Sequence, residues 1–478
     1  AIAALAAACV AEPVLTSLGG GGFLTALPAG RDIRLYDFFV QTPCARRSAQ
    51  EADFYPIMAD FGTTRQEFHI GMGAIATPGT IDGLVRVHAD LGSLPLREVL
   101  SPAIGYAAEG VRINSLQAYI FSIVEPIYLS TPAARRIYGS HEGADALHGE
   151  GTLFRQPQLA DSLRQIAEEG ASPFYRGQHA VRLARDSREN GGHLRLDDLA
   201  AFSTLPRKPL AYRYRDWDVA TNPAPSSGGM LIAFAQQLLA RADLGRSGFG
   251  STEHLTLLAQ VMAQANLARS AHGTALQPLD EALLQRYRSA IAGHPLCTRG
   301  TTHISVIDYA GNAASLTLSN GEGSGYVLPG TGIMLNNMLG EEDLNPAGFG
   351  RWDTNVRVSS MMAPTITRSG DHLVALGSGG ANRLRTAILQ ALVNLIDFDM
   401  DPQAAVFAPR IHFERGHLHI EPGFDEEALA GVQRQYPDAT RWHETNLYFG
   451  GTHTVMWDGK RFSGCGDPRR GGVFLAQT

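Results

Sequence analysis

Cysteine is scarce in this chain of 478 residues, where it occurs only as Cys9, Cys44, Cys297 and Cys465. Their spacing matches no metal-binding motif, and they are too few for a disulfide scaffold, so we expect buried thiols. Runs of Lys or Arg are also lacking, and the formal net charge is −7. We therefore expect no nucleic-acid partner and no basic membrane patch. No His, Cys, Asp or Glu spacing indicates a metal site, and we expect no cofactor.

A membrane-spanning run is lacking as well. Residues 1–14 are apolar but too short to cross a bilayer, and the stretch itself lacks a basic n-region. They predict a core helix ended by Pro13, and we expect no membrane span in the chain. A signal peptide upstream of this sequence stays open. Length alone would allow two or three domains, and an apolar content of 44% is ample for a large core.

Residues 301–320 predict a β-hairpin. Apolar and polar residues alternate on both sides of Asp308–Asn312. Successive side chains of a strand point to opposite faces, so the two apolar sets share a face only in one pairing parity. A turn centred on Ala310 satisfies that parity and sets Thr301 opposite Ser319. The second face is then rich in hydroxyl groups. An ordinary half-exposed hairpin is one explanation of this pattern, and a functional face is the other.

The motifs in and after this hairpin resemble the start of the small subunit of gamma-glutamyltranspeptidases, which are N-terminal-nucleophile hydrolases. They are Thr301-Thr302-His303, Ser305-Val306, Asp308, Gly311-Asn312-Ala313 and Leu335-Asn336-Asn337. In that family the precursor cuts itself before the first Thr. The resemblance implies cleavage between Gly300 and Thr301, with Thr301 as nucleophile and its own α-amine as base. A free α-amine suits this role because its reference pKa is about 7.7–8.0.

The resemblance covers about residues 1–470 and implies an α+β fold, a four-layer αββα sandwich. Residues 1–300 would form the large-subunit part of the precursor and residues 301–478 the small-subunit part, both together one structural unit. The implied partners are these two fragments and a small-molecule amide or peptide substrate. Residues 293–300 have the polar, glycine-bounded composition of an exposed cleavage linker. A periplasmic or secreted location is compatible with the resemblance, and the cytoplasm stays open.

The family's site residues carry over onto matching positions of this sequence. The resemblance implies a hydrogen bond from Ser319 to the nucleophile, substrate contact by Asn320, carboxylate binding by Ser359 and Ser360, and an oxyanion hole at Gly379 and Gly380. Glycine suits an oxyanion hole because no Cβ blocks the approach of a carbonyl. An ordinary glycine loop before a helix is the alternative for the last two residues.

Two positions depart from the family pattern. Phe39, on a strand predicted over Leu35–Pro43, stands where the family has an Arg that clamps the donor's α-carboxylate. A phenyl ring cannot form such a bidentate pair. Glu341 stands where the family has an Asp that pairs with the donor's ammonium group. A solvated acidic loop is the alternative explanation for Glu341 and its acidic neighbours.

Other motifs favour structural roles. His303 tempts a triad interpretation, but no Gly-x-Ser-x-Gly elbow is present, so we expect a structural histidine. Gly19–Gly22 predicts a turn that leads into a strand at Phe23. Pro223–Gly229 predicts either a loop beside the active site or a rigid turn. Helices are predicted from Thr80 through Val87, up to a C-cap at Gly110, over Leu159–Ile166 ending at Gly170, over Leu255–Tyr287 and over Leu384–Leu395; strands are predicted over Thr452–Trp457 and Lys460–Ser463.

Three functions remain open. The first, favoured by the frequency of this activity in the family, is a gamma-glutamyltranspeptidase or glutathione hydrolase with a rebuilt donor pocket. The second, favoured by Phe39, is an amidase or acylase for a donor without the amino-acid head, as in the related cephalosporin acylases. The third is an inactive homologue with a binding or scaffold role. Retention of Thr301, Ser319 and the two glycines argues against the third.

Overall fold

The computed structural model describes residues 1–60, 65–141, 145–288, 301–345, 348–380 and 383–477. The helices are α1 Ile2–Ala11, α2 Thr80–Leu91, α3 Leu96–Glu109, α4 Ser115–Tyr128, α5 Pro132–Tyr138, α6 Pro157–Glu169, α7 Ser172–Tyr175, α8 Gln178–Glu189, α9 Leu196–Ala201, α10 Ser227–Leu239, α11 Leu244–Ser247, α12 Thr252–His272, α13 Glu281–Arg288, α14 Arg383–Ile396, α15 Pro402–Phe407 and α16 Glu426–Gln435. The strands are β1 Gly21–Leu27, β2 Arg34–Asp37, β3 Tyr55–Asp60, β4 Arg65–Ile70, β5 Val111–Arg112, β6 Leu153–Phe154, β7 Leu205–Arg207, β8 Leu210–Tyr214, β9 Trp217–Thr221, β10 Thr302–Ile307, β11 Ala313–Ser319, β12 Val327–Leu328, β13 Ile333–Met334, β14 Thr365–Ser369, β15 His372–Gly379, β16 Ile411–Glu414, β17 His417–Ile420, β18 Thr440–Arg441, β19 Gly451–Trp457 and β20 Phe462–Cys465.

The first large sheet contains the predicted hairpin. Its strand order is β10-β11-β1-β2-β7, and neighbouring strands are antiparallel. In the hairpin, Thr302 pairs with Leu318 and His303 with Thr317, which confirms the predicted register. The turn is closed by Asp308, whose carboxylate accepts hydrogen bonds from the backbone N–H groups of Ala310 and Asn312. The sheet thus joins segments from both predicted parts of the precursor.

A helical layer covers the apolar face of the first sheet. Leu24, Leu316 and Leu318 are at most 2% exposed and belong to one core with side chains of α1, α2, α3 and α6. Helix α1 ends at Ala11, just before Pro13, as predicted from the sequence. Helix α3 ends at Gly110, whose φ of 100° lies in the region that favours glycine. The apolar alternation of the hairpin is therefore explained by helix packing.

The second large sheet has the order β20-β19-β15-β14-β9-β8. Val374 and Leu376 of β15 pack with Ile388 and Leu392 of α14 in a common core. Helix α10 packs beside α14, and α12 packs on α10, so helices cover the outer face of this sheet too. Helix, sheet, sheet and helix together form the predicted four-layer αββα sandwich.

The hydroxyl-rich face of the hairpin lies between the two sheets. Thr25 Oγ1 donates a hydrogen bond to the carbonyl of Pro364 at 2.8 Å, and Ser315 Oγ donates to the carbonyl of Leu376 at 2.8 Å. His303 fits against Gly377, where a Cβ atom would come within 2.2 Å of the imidazole ring. Buried hydroxyl groups require such partners, and here they join the two sheets.

Several sequence-based boundaries need correction. The strand predicted over Leu35–Pro43 is shorter in the structure, where β2 covers Arg34–Asp37; beyond it Phe38 exchanges backbone hydrogen bonds with Gly22, and Gln41 forms only isolated bridges. The helix predicted over Leu255–Tyr287 is interrupted after His272, where Gly273 begins a short 3-10 turn. Cys9 and Cys465 are buried, but Cys44 is exposed, so the expectation of a buried thiol is wrong there. Cys297 and the predicted linker 293–300 lie outside the described residues.

A buried ionic network holds the C-terminal segment. Arg469 donates hydrogen bonds to both carboxylate oxygens of Glu421, at 2.7 and 2.6 Å, and Arg410 donates to Asp467 at 2.6 Å. Burial alone would raise the pKa of Asp467, but the guanidinium groups of Arg410 and Arg469 hold it below its ordinary value. The Asp467-Pro468-Arg469 motif is structural, as predicted.

Loss of one cation from this network should be strongly destabilising. We expect Arg469→Met to lower the free energy of unfolding by about 3–5 kcal/mol, because Glu421 would remain buried without its cation. Denaturant titration measures this change. Arg461→Met is the matched control, since Arg461 pairs with Asp458 at the surface, and it should change stability by about 0.5 kcal/mol or less. Equal effects of the two substitutions would contradict the structural role of the network.

In the described part of the chain, no helix is both long enough and apolar enough to cross a membrane. The same residues contain no cluster of three or more His, Cys, Asp or Glu side chains suited to a metal ion.

Candidate active site

The predicted nucleophile, Thr301, lies at the start of β10 and is 4% exposed. It lines a pocket that encloses about 350 Å³ when the open solvent at its mouth is included. Four other predicted site residues line the same pocket, namely Phe39, Ser319, Glu341 and Ser360. Residues from positions 39 to 360 are thus gathered at one pocket together with Thr301.

Backbone contact fixes Thr301 against the second sheet. A Cβ atom added to Gly379 would lie 2.2 Å from the carbonyl oxygen of Thr301, so only glycine permits this approach of β15. Gly380 has a φ of 117°, in the region that favours glycine, and its carbonyl accepts the backbone N–H of Arg383 at the start of α14. Gly379 therefore lies beside Thr301, where its small size is a steric requirement, and Gly380 follows it against Arg470 and Gly450.

Ser319 ends β11, opposite Thr301 in the hairpin register. Its hydroxyl accepts a hydrogen bond from the backbone N–H of Gly321 at 3.0 Å. Next to it, Asn320 is fully buried, and its amide nitrogen and oxygen have no hydrogen-bond partner among the described residues. Asn320 is not among the residues that line the pocket. The fold therefore brings Ser319 to the pocket and keeps Asn320 behind it.

Phe39 is fully buried and forms part of the pocket wall. Its ring stacks on Phe23 with 5.4 Å between centroids. The nearby Arg357 serves the backbone, because it donates to the carbonyls of Phe39 and Ser203 and lies 3.5 Å from Asp37. The described residues that line the pocket include neither Lys nor Arg. The carboxylate clamp of the family therefore has no equivalent in this pocket wall.

Acidic groups line another side of the pocket. Glu341 is 5% exposed, and its backbone carbonyl accepts a hydrogen bond from Asn345 Nδ2 at 2.7 Å. Its carboxylate packs at Gly321, where an added Cβ would meet Glu341 Oε1 at 2.2 Å. Asp343 also lines the pocket. Because Glu341 is buried beside the loop after Ser319, the alternative of a solvated acidic loop does not describe it.

The two predicted serines differ in position, since only Ser360 lines the pocket. Ser360 lines the pocket and accepts the backbone N–H of Met362 at 3.1 Å, whereas the hydroxyl of Ser359 contacts that of Ser227 at 3.1 Å. The Pro223–Gly229 segment borders this region, since Ser227 N–H donates to the carbonyl of Ser360 at 2.8 Å. This segment is therefore a structural turn that also supports one wall of the site.

His303 has a structural role, as predicted. Its Nδ1 lies 2.8 Å from Thr317 Oγ1, and its Nε2 lies 2.9 Å from Ser305 Oγ. Burial, together with the neighbouring His453, holds the pKa of His303 well below its ordinary value. A neutral histidine with both nitrogens engaged is a bridge within the sheet rather than a base for Thr301.

Several pocket residues escaped the sequence analysis. They are the acidic Asp343 and the apolar Met338, Leu344, Met361, Met362 and Leu384. They come from two irregular segments and from the first turn of α14. Periodicity indicates buried faces of regular elements, so it carries no signal for these loop positions. The run Met361-Met362 was a visible cue, since methionine often fills irregular or adaptable apolar surfaces.

The four-layer fold is that of the N-terminal-nucleophile hydrolases, as predicted. It superposes on the crystal structure of cephalosporin acylase from Bacillus halodurans with a TM-score of 0.87, at 23% identity and with 100% of this chain and 91% of the other covered. It also matches the gamma-glutamyltranspeptidase structure from Helicobacter pylori with a TM-score of 0.54, at 25% identity and covering 62% and 85% of the two chains.

The family model for gamma-glutamyltranspeptidase matches residues 1–476, and the chain belongs to that family. Glutathione hydrolase proenzyme of Escherichia coli (strain K12) is 28% identical, with 98% of this chain and 86% of that protein covered. Acylase ACY 1 proenzyme of Pseudomonas sp. (strain V22) is 33% identical, with 90% and 81% covered. Membership in a family of transpeptidases and acylases supports an amide hydrolase or acyltransferase.

Proposed function

We propose that this protein is a self-processing threonine amide hydrolase whose acyl donor lacks the γ-glutamyl head. The position of Thr301 at the pocket, in backbone contact with Gly379, carries the proposal. The proenzyme names of the two curated relatives support cleavage of the precursor into two fragments. Cleavage before Thr301 would give this residue the free α-amine that its chemistry requires.

The proposed reaction proceeds through an acyl-enzyme. The Thr301 α-amine accepts the hydroxyl proton while Oγ1 adds to the amide carbonyl, and the backbone N–H groups of Gly379 and Gly380 stabilise the oxyanion. The ammonium group then returns a proton to the departing amine as the C–N bond breaks. Water adds to the ester in the second step and releases the acid, or an acceptor amine replaces water in a transfer reaction.

The pocket wall favours an apolar acyl group. Phe39 and the methionine and leucine side chains form most of its surface, and Glu341 and Asp343 are its acidic residues. A donor carboxylate would meet these acids with no cation among the described lining residues. A missing charge-assisted hydrogen bond costs about 1.5–3 kcal/mol, which corresponds to a roughly 10- to 150-fold weaker interaction.

A pair of p-nitroanilides tests this specificity. We expect kcat/KM for phenylacetyl-p-nitroanilide to exceed that for γ-glutamyl-p-nitroanilide at least about tenfold. Phe39→Arg should shift the ratio toward the γ-glutamyl donor by restoring a cation, whereas the control Phe39→Leu should keep the original preference. Melting temperatures establish that both variants fold. A robust γ-glutamyl rate in the unmodified enzyme, unchanged in Phe39→Leu, would show that the donor carboxylate is bound elsewhere.

A gamma-glutamyltranspeptidase or glutathione hydrolase is the second candidate. Its specific support is Glu341, an acid at the position expected to bind a donor ammonium group, together with Ser360 in the pocket wall. Glutathione itself separates the two candidates, since its γ-glutamyl group carries both the ammonium and the carboxylate. Release of glutamate at a rate that exceeds all simple acyl donors would favour this candidate.

A further inference from the structure

A second cavity lies on the other side of Thr301. It has about 1070 Å³ of empty volume and extends along the outer strand β10. The alanine-rich face of α1, residues 453–455 of β19 and the C-terminal segment 470–474 form its other walls. The proposed reaction uses the first pocket only, so the residues of this second cavity have no role assigned by it.

Two charged residues line this cavity, Glu12 and Arg470. Thr302 Oγ1 donates a hydrogen bond of 2.5 Å to Glu12 Oε2, which ties the residue after the nucleophile to the end of α1. Burial raises the pKa of Glu12, while the Thr302 hydroxyl and the charge of Arg470 act to lower it. The Thr302 hydroxyl and Arg470 oppose the effect of burial, which is the largest of the three and keeps the pKa of Glu12 above its ordinary value.

Arg470 approaches the site from the C-terminal segment. A Cβ atom on Gly380 would lie 2.8 Å from Arg470 Nη2, which also donates to the carbonyl of Leu447 at 3.2 Å. Burial lowers the pKa of Arg470 to about 10, so the guanidinium group stays charged at neutral pH. Glu12 and Arg470 thus line the same cavity as Thr301, and each charge acts on the pKa of the other group.

The remaining titratable groups around this cavity carry little charge at neutral pH. Burial lowers the pKa of His303 well below its ordinary value and that of His453 to about 4, and it raises the pKa of Cys465 to about 11. Outside the cavity, Arg383, Glu322 and Asp467 also act on Arg470, and Asp467 is paired within the buried network. Glu341 and Asp343 face Thr301 from the substrate pocket.

We propose that Glu12 and Arg470 are positioning residues that hold Thr301 and set the pKa of its α-amine in opposite directions. The proposal rests on the proposed function, because only a cleaved chain has this amine. Consecutive Cα atoms are about 3.8 Å apart, so a carboxylate bonded to the Thr302 side chain lies within roughly 10 Å of the amine of Thr301. At this separation a unit charge in a protein shifts a titration by about one pH unit.

The sign of each effect follows from charge. The Glu12 carboxylate stabilises the ammonium form and raises the pKa of the amine, whereas Arg470 destabilises the ammonium form and lowers it. The Thr301 α-amine can act as a base only when it is neutral. Arg470 therefore increases the neutral fraction of this amine near neutral pH, and Glu12 decreases it. The carboxylate at the end of α1 and the guanidinium group on the C-terminal segment would in this way set the pH range in which the enzyme is active.

The pH dependence of acetylation of the Thr301 amine tests this inference without a known substrate. Only a free-base amine reacts with acetic anhydride, and peptide mass spectrometry quantifies the modified N-terminus of the small fragment between pH 5 and 10. We expect the midpoint to fall by about one pH unit in Glu12→Gln and to rise by about one in Arg470→Gln. Arg470→Lys retains the charge and should keep the midpoint of the unmodified protein.

Each outcome has a distinct meaning. If the unmodified protein yields no fragment that begins at Thr301, the proposed function fails, and this is established before any variant is compared. Unchanged midpoints, or shifts of the same sign, overturn the charge inference and leave the proposed function intact. If Glu12→Gln stays uncut with a normal melting temperature, the acetylation midpoints of Arg470→Gln and Arg470→Lys alone decide whether the charge inference holds. If neither charge-removing variant matures although both fold, the charges act on cleavage rather than on the amine, and the inference is overturned.

Discussion

Thr301→Ala is expected to leave one uncut polypeptide of about 51.3 kDa with no measurable amide hydrolysis. The substitution removes the hydroxyl group that would attack the preceding carbonyl during maturation and the substrate carbonyl during turnover. Loss of a nucleophile lowers turnover by several orders of magnitude, so we expect a fall of more than about a thousandfold. Intact mass under denaturing conditions reports maturation, and release of p-nitroaniline reports turnover.

Thr301→Ser is the matched variant for this experiment. It keeps both the hydroxyl group and the potential α-amine, so it should mature and retain part of the activity. The side chain is buried, and the loss of one methyl group should change stability by about 1 kcal/mol. A Thr301→Ala protein that is still cleaved before residue 301 and still turns over substrate would exclude Thr301 as the nucleophile.

The hairpin shows why part of this site could be predicted. Side-chain alternation is strict in a strand, so the apolar residues of β10 and β11 determined which residues pair, and Thr302 does pair with Leu318. Helix ends were predicted for a similar reason, since the C-cap at Gly110 follows from local backbone preference. Side-chain alternation and backbone preferences therefore predict strand pairing and helix ends. The expected role of Thr301 comes from the resemblance to the family.

The pocket wall was less accessible because long-range packing creates it. Met338, Leu344 and Met362 lie in irregular segments whose side-chain directions follow no period. The hydrogen bond between Thr302 and Glu12 joins residues that are 290 positions apart. The family pattern identifies Phe39 as a departure, but only the structure shows that Arg357, a cation close to Phe39 in space, is occupied by backbone carbonyls and Asp37.

Under the proposed function, the catalytic and recognition residues lie on different parts of the fold. Thr301 and Ser319 line one pocket and Gly379 contacts Thr301, while the described residues of the pocket wall include no cation that would bind a donor carboxylate. The proposed catalytic groups lie on the hairpin and at the end of β15, within the two-sheet core. The proposed recognition residues lie on loops and on the exit from β2, where a substitution changes the pocket with little effect on the sheets. We propose that this division allows the donor to change while acyl transfer is retained.

Gly379→Ala is expected to slow maturation strongly and to lower kcat/KM at least about a hundredfold. The new Cβ would lie 2.2 Å from the carbonyl oxygen of Thr301, a separation that forces the end of β15 and the nucleophile apart. A displacement of about 1 Å at a reacting group is enough for a loss of this size. The φ of Gly379 is not in the region that favours glycine, so the expected effect is purely steric.

Gly370→Ala is the control, because Gly370 lies in the turn between β14 and β15. Gly370 has a φ of 54° and no atom within 4 Å of its added Cβ, so the substitution should cost about 1–2 kcal/mol of stability and leave maturation and kcat/KM unchanged. Intact mass over time, progress curves and melting temperatures separate the two variants. If Gly379→Ala matures and turns over substrate like the unmodified protein, Thr301 is not held against β15 during the reaction, and the oxyanion must be stabilised elsewhere. The opposite result would support a reacting carbonyl at the end of β15, since one methyl group at that position, 2.2 Å from the Thr301 carbonyl oxygen and 3.4 Å from Arg470 Cδ, would be sufficient to stop both reactions.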